Sequence, residues 1–168
     1  MKYAVIGGDR RAALLAGLLL REGHRVHSWA LERAQLPEEV PRSGSLQAAL
    51  YGADAVLLPL PAARGELLNA PFAARPCPMA ELEEALWPGQ LVFGGGFTEA
   101  QRLRAERSGL TLIDWLRRPA LVIGNAAITA EGAVGLLLQE SERTLAGSRA
   151  LVLGYGRIGR VLARLLTA

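Results

Sequence analysis

The chain has 168 residues, 51% of them apolar and 21% charged, with a net charge of +3. That length accommodates one ordinary domain plus part of another. Lys2 is the sole lysine, the nearest approach to a basic patch is Arg10-Arg11 and Arg117-Arg118, and Phe and Tyr number three each, so a nucleic-acid surface with a basic stripe and stacking platforms is disfavoured.

Strand and helix patterns alternate from the first residues. Residues 3–6 are a short apolar run ending in Gly7-Gly8-Asp9. Residues 11–21 have helical periodicity, with Ala12, Ala13, Leu14, Leu15, Leu18 and Leu19 on the expected buried side and Gly23 as a stop. Residues 25–29 alternate as a second strand with Val26 inward. Pro37 and Pro41 interrupt the chain before a short helix over 45–51. A third strand over 55–58 ends in Pro59-Leu60-Pro61, and Pro71, Pro76 and Pro78 predict an irregular segment. Residues 79–86 form a helix whose early acidic residues suit its dipole. A fourth strand over 91–93 runs into Gly94-Gly95-Gly96. Thr98 and Gln101 form a capping box for a helix reaching Arg107, and residues 110–113 are a fifth strand.

Five β-α units in series predict an α/β fold of the Rossmann or flavodoxin-like kind, a doubly wound parallel sheet. A long apolar helix over 126–139 and a polar stretch over 140–147 follow, then an apolar strand over 150–153. The expected division is an N-terminal α/β domain over 1–124, a linking helix over 125–147, and the start of an NAD(P)-binding domain over 148–168. On this reading the chain stops inside that last domain. Dinucleotide binding by these residues alone should therefore be weak, and the tail mobile, docked back onto the first domain, or self-associating.

Two glycine turns stand where anions bind. Gly7-Gly8-Asp9 closes the first strand; its amides can face an anion, or Asp9 can simply cap the helix. Gly95 and Gly96 line the same expected cleft. The second turn, Gly154-Tyr155-Gly156-Arg157-Ile158-Gly159, is a complete Gly-x-Gly-x-x-Gly between an apolar run and an amphipathic helix. There Gly154 makes the turn, Gly156 lets a pyrophosphate approach and Gly159 permits close helix packing, with Arg157 and Ile158 in the same loop. NAD and NADP are not distinguished, because the acidic ribose reader falls about 20 residues further on. At the entry of the long helix, Asn125 and Thr129 are candidate caps and Glu131 suits its first turn. The three are also candidate catalytic groups beside an interdomain cleft.

Other chemistry is thinly supported. Cys77 is the only cysteine, which suits a reducing compartment. No secretory leader precedes the first strand, and apolar stretches are broken by Gly, Arg or Glu short of a bilayer span. A soluble, cytoplasmic protein without membrane contact is the expectation. No Cys/His cluster has metal-ligand spacing and no Gly-x-Ser-x-Gly elbow occurs. His24 and His27 read as strand and surface residues, and Trp29, Trp87 and Trp115 as packing anchors.

The order Ala4-Val-Ile-Gly-Gly-Asp9, Leu57-Leu-Pro59, a glycine-rich turn after strand four, Asn125-x-x-x-Thr129-x-Glu131-Gly132 and Gly154-x-Gly156-x-x-Gly159 resembles the A subunit of dipicolinate synthase, an enzyme of endospore-forming bacteria. The resemblance runs along the whole chain and covers about the first half of the family's length. It implies a dehydrogenase component that uses NAD or NADP on a dihydrodipicolinate-like dicarboxylate. It also implies, as partner, a flavoprotein-like B subunit, and the mother-cell cytoplasm as location. Asn125, Thr129 and Glu131 become substrate-side candidates, with Glu131 as general base once burial raises its pKa, and Gly8 and Asp9 behind them. The family pattern has acidic residues and an aromatic before the asparagine, where this chain has Arg117-Arg118-Pro-Ala-Leu-Val-Ile-Gly124. Two alternatives stay open: another two-domain dehydrogenase of the 2-hydroxyacid or alanine type, and a non-catalytic interaction fragment. Homo-oligomerisation is also open.

Overall fold

Apolar runs of three to five residues, each ended by glycine, proline or a polar turn, set the sheet. The computed structural model describes residues 1–167. Along the chain come β1 (Lys2–Ile6), α1 (Arg10–Arg21), β2 (Arg25–Trp29), α2 (Leu46–Leu50), β3 (Ala55–Leu57), β4 (Ala63–Arg64) and β5 (Leu67–Leu68). Then follow α3 (Met79–Ala85), β6 (Leu91–Gly94), α4 (Glu99–Arg107), β7 (Thr111–Asp114), a short 3-10 turn (Trp115–Arg117), α5 (Pro119–Glu140) and α6 (Arg157–Thr167). Two compact units result, Met1–Leu116 and the residues from Arg117 onward.

The first unit is the expected doubly wound α/β fold. Its five strands lie in the order β2-β1-β3-β6-β7, and all pairings are parallel, in registers such as Tyr3↔Val26, Ala4↔Val56 and Val92↔Leu112. A parallel sheet is covered on both faces, so its central strands are apolar throughout. All of β3 is buried. Alternation along β1 sends Ala4 and Ile6 into one core with Leu46, Leu50, Val56, Leu82 and Val92. Val5 enters the other, with Ala13, Ala16, Val26 and Leu31. Ile6, Leu46, Leu50 and Leu82 are fully buried, each contributing about 1.5–3 kcal/mol of apolar transfer. The capping box forms as expected: Thr98 Oγ1 accepts from Gln101 N at 3.2 Å, and Gln101 Oε1 accepts from Thr98 N at 2.9 Å.

Three expectations about this unit need correction. Helix α1 meets the core through Ala13 and Ala16, whereas Leu14, Leu15 and Leu18 are exposed. Small side chains let the helix backbone lie close to the sheet, which turns its stripe away from the bulky leucines. The proline-rich segment after β3 also holds an antiparallel pair, Ala63↔Leu68 and Arg64↔Leu67; strands of two residues leave no periodicity to read. Trp87 is exposed rather than an anchor, while Trp29 is buried and Trp115 stacks on Phe93 at 5.3 Å.

In the second unit, α5 and α6 pack on each other, with Ala126 and Ala130 of α5 buried. Helix α5 begins at Pro119, with Arg118 as its cap residue. The expected start at 126 is therefore late, and Asn125, Thr129 and Glu131 lie inside the helix rather than at its cap or first turn. Pro119 at the first helical position is pre-set for a helix start. The longer helix remains interrupted by Gly124, Glu131, Gly132 and Gly135. Its 22 residues are long and apolar enough to cross a membrane, by length and composition alone. The expected strand over 150–153 does not form. A strand needs a neighbour for its N–H and C=O groups, and among the described residues of this unit there is none. Leu151 and Leu153 are accordingly 84% and 88% exposed.

Candidate functional site

In a 2-1-3-4-5 sheet, ligands settle outside the carboxyl ends of the strands, near the point where strand order reverses. Here that point lies between β1 and β3. Gly7-Gly8-Asp9 leaves β1, and Leu58-Pro59-Leu60-Pro61 leaves β3 through a cis Leu60–Pro61 bond. The expected cleft residues Gly8, Asp9, Gly95 and Gly96 do share this edge, but the loops use them on one another. Gly7 N donates to Trp29 O at 2.8 Å and Gly8 N to Asn69 O at 3.0 Å, so these amides are bound within the fold rather than turned to an anion. Gly8 has φ +104°, and a Cβ there would lie 2.6 Å from that of Ala12. A Cβ on Gly95 would sit 2.4 Å from Leu60 Cδ2 and 2.9 Å from Leu116 Cγ, and its carbonyl accepts from Ala62 N at 2.7 Å.

Asp9 is the cap of α1, accepting from Arg11 N at 2.9 Å. The Arg11 guanidinium grips the same carboxylate at 2.9–3.2 Å and also donates to Leu60 O at 2.9 Å. Arg11 therefore ties the turn after β1 to the loop after β3. The guanidinium's hydrogen bond holds the Asp9 carboxyl below its ordinary range, against an opposing effect of burial.

Sequence reasoning missed Asp114, which ends β7 and is buried. Its Oδ1 accepts from Leu116 N at 2.9 Å and Gly96 N at 3.3 Å, and its Oδ2 pairs with Arg102. One carboxylate thereby pins the glycine turn after β6 to the exit from β7. An apolar strand ending in aspartate, Thr111-Leu-Ile-Asp114, is the signal for it. Cys77 is buried, its Sγ donating to Arg75 O at 3.3 Å, and burial raises its pKa, so it is an inert thiol. Among the described residues no His, Cys, Asp and Glu group suits a metal ion.

The second unit has its own cavity, about 510 Å³. Asn125, Val122 and Ala126 of α5 line it together with Gly154, Gly156, Arg157, Ile158 and Gly159. The structure thus brings Asn125 to the glycine turn. Thr129 lies one turn along α5, its hydroxyl donating to Asn125 O at 2.7 Å. Glu131, six residues from Asn125, is rotated about 120° around the helix and is exposed, so the burial its role as a base presupposed is absent. A Cβ on Gly159 would fall 2.0 Å from Gly154 O, while Gly156 faces open space. The turn fits a pyrophosphate in those two respects: helix against turn at Gly159, and room for approach at Gly156.

The family model for the N-terminal domain of the dipicolinate synthase A subunit matches residues 2–116. The chain belongs to that family. The A subunit of dipicolinate synthase from Bacillus subtilis (strain 168) is 26% identical over 179 residues, an alignment spanning all of this chain and 58% of that protein. The crystal structure of the A subunit of dipicolinate synthase from Bacillus halodurans superposes with a TM-score of 0.78 at 21% identity, over 99% of this chain and 58% of that one. The corresponding chain of the Bacillus subtilis enzyme gives 0.68 at 24% identity, over 99% and 57%. At those identities the structures establish a shared fold. This member of the dipicolinate synthase N-terminal domain family thus spans somewhat over half the length of the relatives it matches.

Proposed function

We propose that this chain carries the N-terminal domain and dinucleotide-binding turn of a dipicolinate-synthase-type dehydrogenase, acting on a dihydro-ring dicarboxylate. The observation that carries the reading is a conjunction in one chain: the family match over residues 2–116 and, after it, a Gly-x-Gly-x-x-Gly turn whose Gly159 can only be glycine. We assign that turn to NAD or NADP. Loss of a hydride and a proton converts a dihydro ring into an aromatic one, and a bound nicotinamide supplies the hydride acceptor.

The chain's own residues have simpler tasks. Gly154, Gly156 and Gly159 leave space for a pyrophosphate at the start of α6, with Arg157 and Ile158 shaping the loop. The Asn125 amide offers a donor and an acceptor in the same cavity, and Thr129, on the same face of α5, supports it. Glu131 is the proposed proton acceptor and is exposed, so it needs the substrate to shield it. The flavoprotein-like B subunit of such a synthase is the proposed partner, and the mother-cell cytoplasm of a spore former the proposed location.

Saturation-transfer NMR with NAD and NADP tests the cofactor assignment. Weak binding to the wild type that disappears in Gly156→Val supports it; no signal in the wild type, or equal signals in both, overturns it. Glu131→Gln should abolish turnover while leaving cofactor binding intact, and near-normal turnover removes Glu131 from the mechanism.

A further inference from the structure

Arginine is nearly the whole cationic complement of this chain, and its guanidinium is suited to paired recognition of carboxylates and phosphates. Three arginines line one groove of about 440 Å³ in the first unit: Arg33 after β2, Arg64 at the end of β4, and Arg75. No aspartate or glutamate lines it. Arg75 is committed already. It binds Glu81 at 2.8 and 3.1 Å through two nitrogens and lies over the Trp29 ring. Arg33 and Arg64 are different: among the described residues neither guanidinium has an ion pair or a side-chain hydrogen bond. The nearby Glu32 carboxylate accepts from Ala74 N at 2.9 Å.

The groove is built on fixed backbone. Asn69, which lines it, is buried. Its N donates to Ala62 O at 2.9 Å, its carbonyl receives Gly8 N at 3.0 Å, and its Nδ2 donates to Pro61 O at 3.0 Å. Arg33 N donates to Phe72 O at 2.9 Å, and the β4–β5 pairing holds Arg64 opposite Leu67. Leu68, in the groove wall, abuts Gly7 at the end of β1. The groove therefore lies near the carboxyl end of β1, one of the two strands that flank the reversal of strand order. Arg33 and Arg64 are both exposed, and two like charges beside one concavity favour an anion there.

We propose that this groove binds a small ligand bearing two anionic groups, carboxylates or phosphates, between Arg33 and Arg64. The groove belongs to the first unit and not to the cavity of Asn125 and the glycine turn, and its test uses neither cofactor nor turnover, so this proposal and the reading above can each fail alone. Isothermal titration of pyridine-2,6-dicarboxylate and, separately, inorganic pyrophosphate into the whole chain is the experiment. Binding of at least one is expected, and which one binds identifies the source of the anion. Arg33→Gln and Arg64→Gln should each weaken it about tenfold, and the double variant should abolish it. Arg33→Lys should keep part of the affinity, with a steeper loss in added salt. Arg21→Gln, on an exposed arginine of α1, should change nothing. If neither anion binds the wild type, or the double variant binds as well as the wild type, the assignment is wrong.

Discussion

The two glycine turns reverse their apparent ranking. Gly154-Tyr-Gly156-Arg-Ile-Gly159 is the complete motif, yet the apolar run before it pairs with no strand among the described residues, and Leu151 and Leu153 stand exposed. Gly7-Gly8-Asp9 lacks the pattern but follows a strand with partners on both sides, and its two glycine amides, its carboxylate and the neighbouring arginine are engaged. A motif describes what a turn can hold. The surrounding sheet decides whether the turn is a binding surface or a clamp.

The contrast can be broken by mutation. Asp114→Ala should have the largest effect, about 3 kcal/mol in urea unfolding, because it strands the partly buried Arg102 and two amides. A loss below about 1 kcal/mol would mean that the pin after β7 is not structural. Gly8→Val should cost about 2 kcal/mol through its φ and its contact with Ala12. The counterpart Gly156→Val should change stability by less than about 0.5 kcal/mol, since nothing lies within reach of its Cβ. Equal costs at the two glycines would erase the distinction between clamp and open turn.

A pH titration sharpens the comparison between these extremes. Burial, then the charges of Lys2 and Arg25, lowers the His27 pKa below its ordinary 6.5. The unfolded chain therefore takes up this proton before the folded one. Stability should be full above pH 6.5 and fall as pH drops below it, levelling once folded His27 is also charged. His27→Gln should flatten that slope, and the first unit should carry it, which site-resolved hydrogen exchange can establish. An unchanged slope in the variant would assign it to other groups.

Most of the first unit was legible in the chain. Five apolar runs separated by helical stretches define a parallel sheet, and Asp9, Thr98 and Gln101 mark helix starts by chemistry that acts within three residues. What escaped was non-local. The placement of Arg33 and Arg64 beside one groove joins segments that follow different strands. Asp114 reaches Gly96 and Arg102 only because β6 and β7 are neighbours. The exposed leucines of α1 reflect how closely that helix lies on the sheet, which periodicity does not specify.

The amino-acid sequence by itself determined the strand-helix alternation, the caps, the family to which the chain belongs and the two glycine turns. Each is written in residues close together, or in the order of such groups. Tertiary structure alone decided that the first turn is a clamp, that Asn125 sits beside the second, that Glu131 is exposed, and that two arginines near the carboxyl ends of β1 and β2 lack a counter-charge. Those outcomes depend on which N–H, carboxylate or guanidinium meets a partner in space, and every such partner lies on another element or on another face of the same helix.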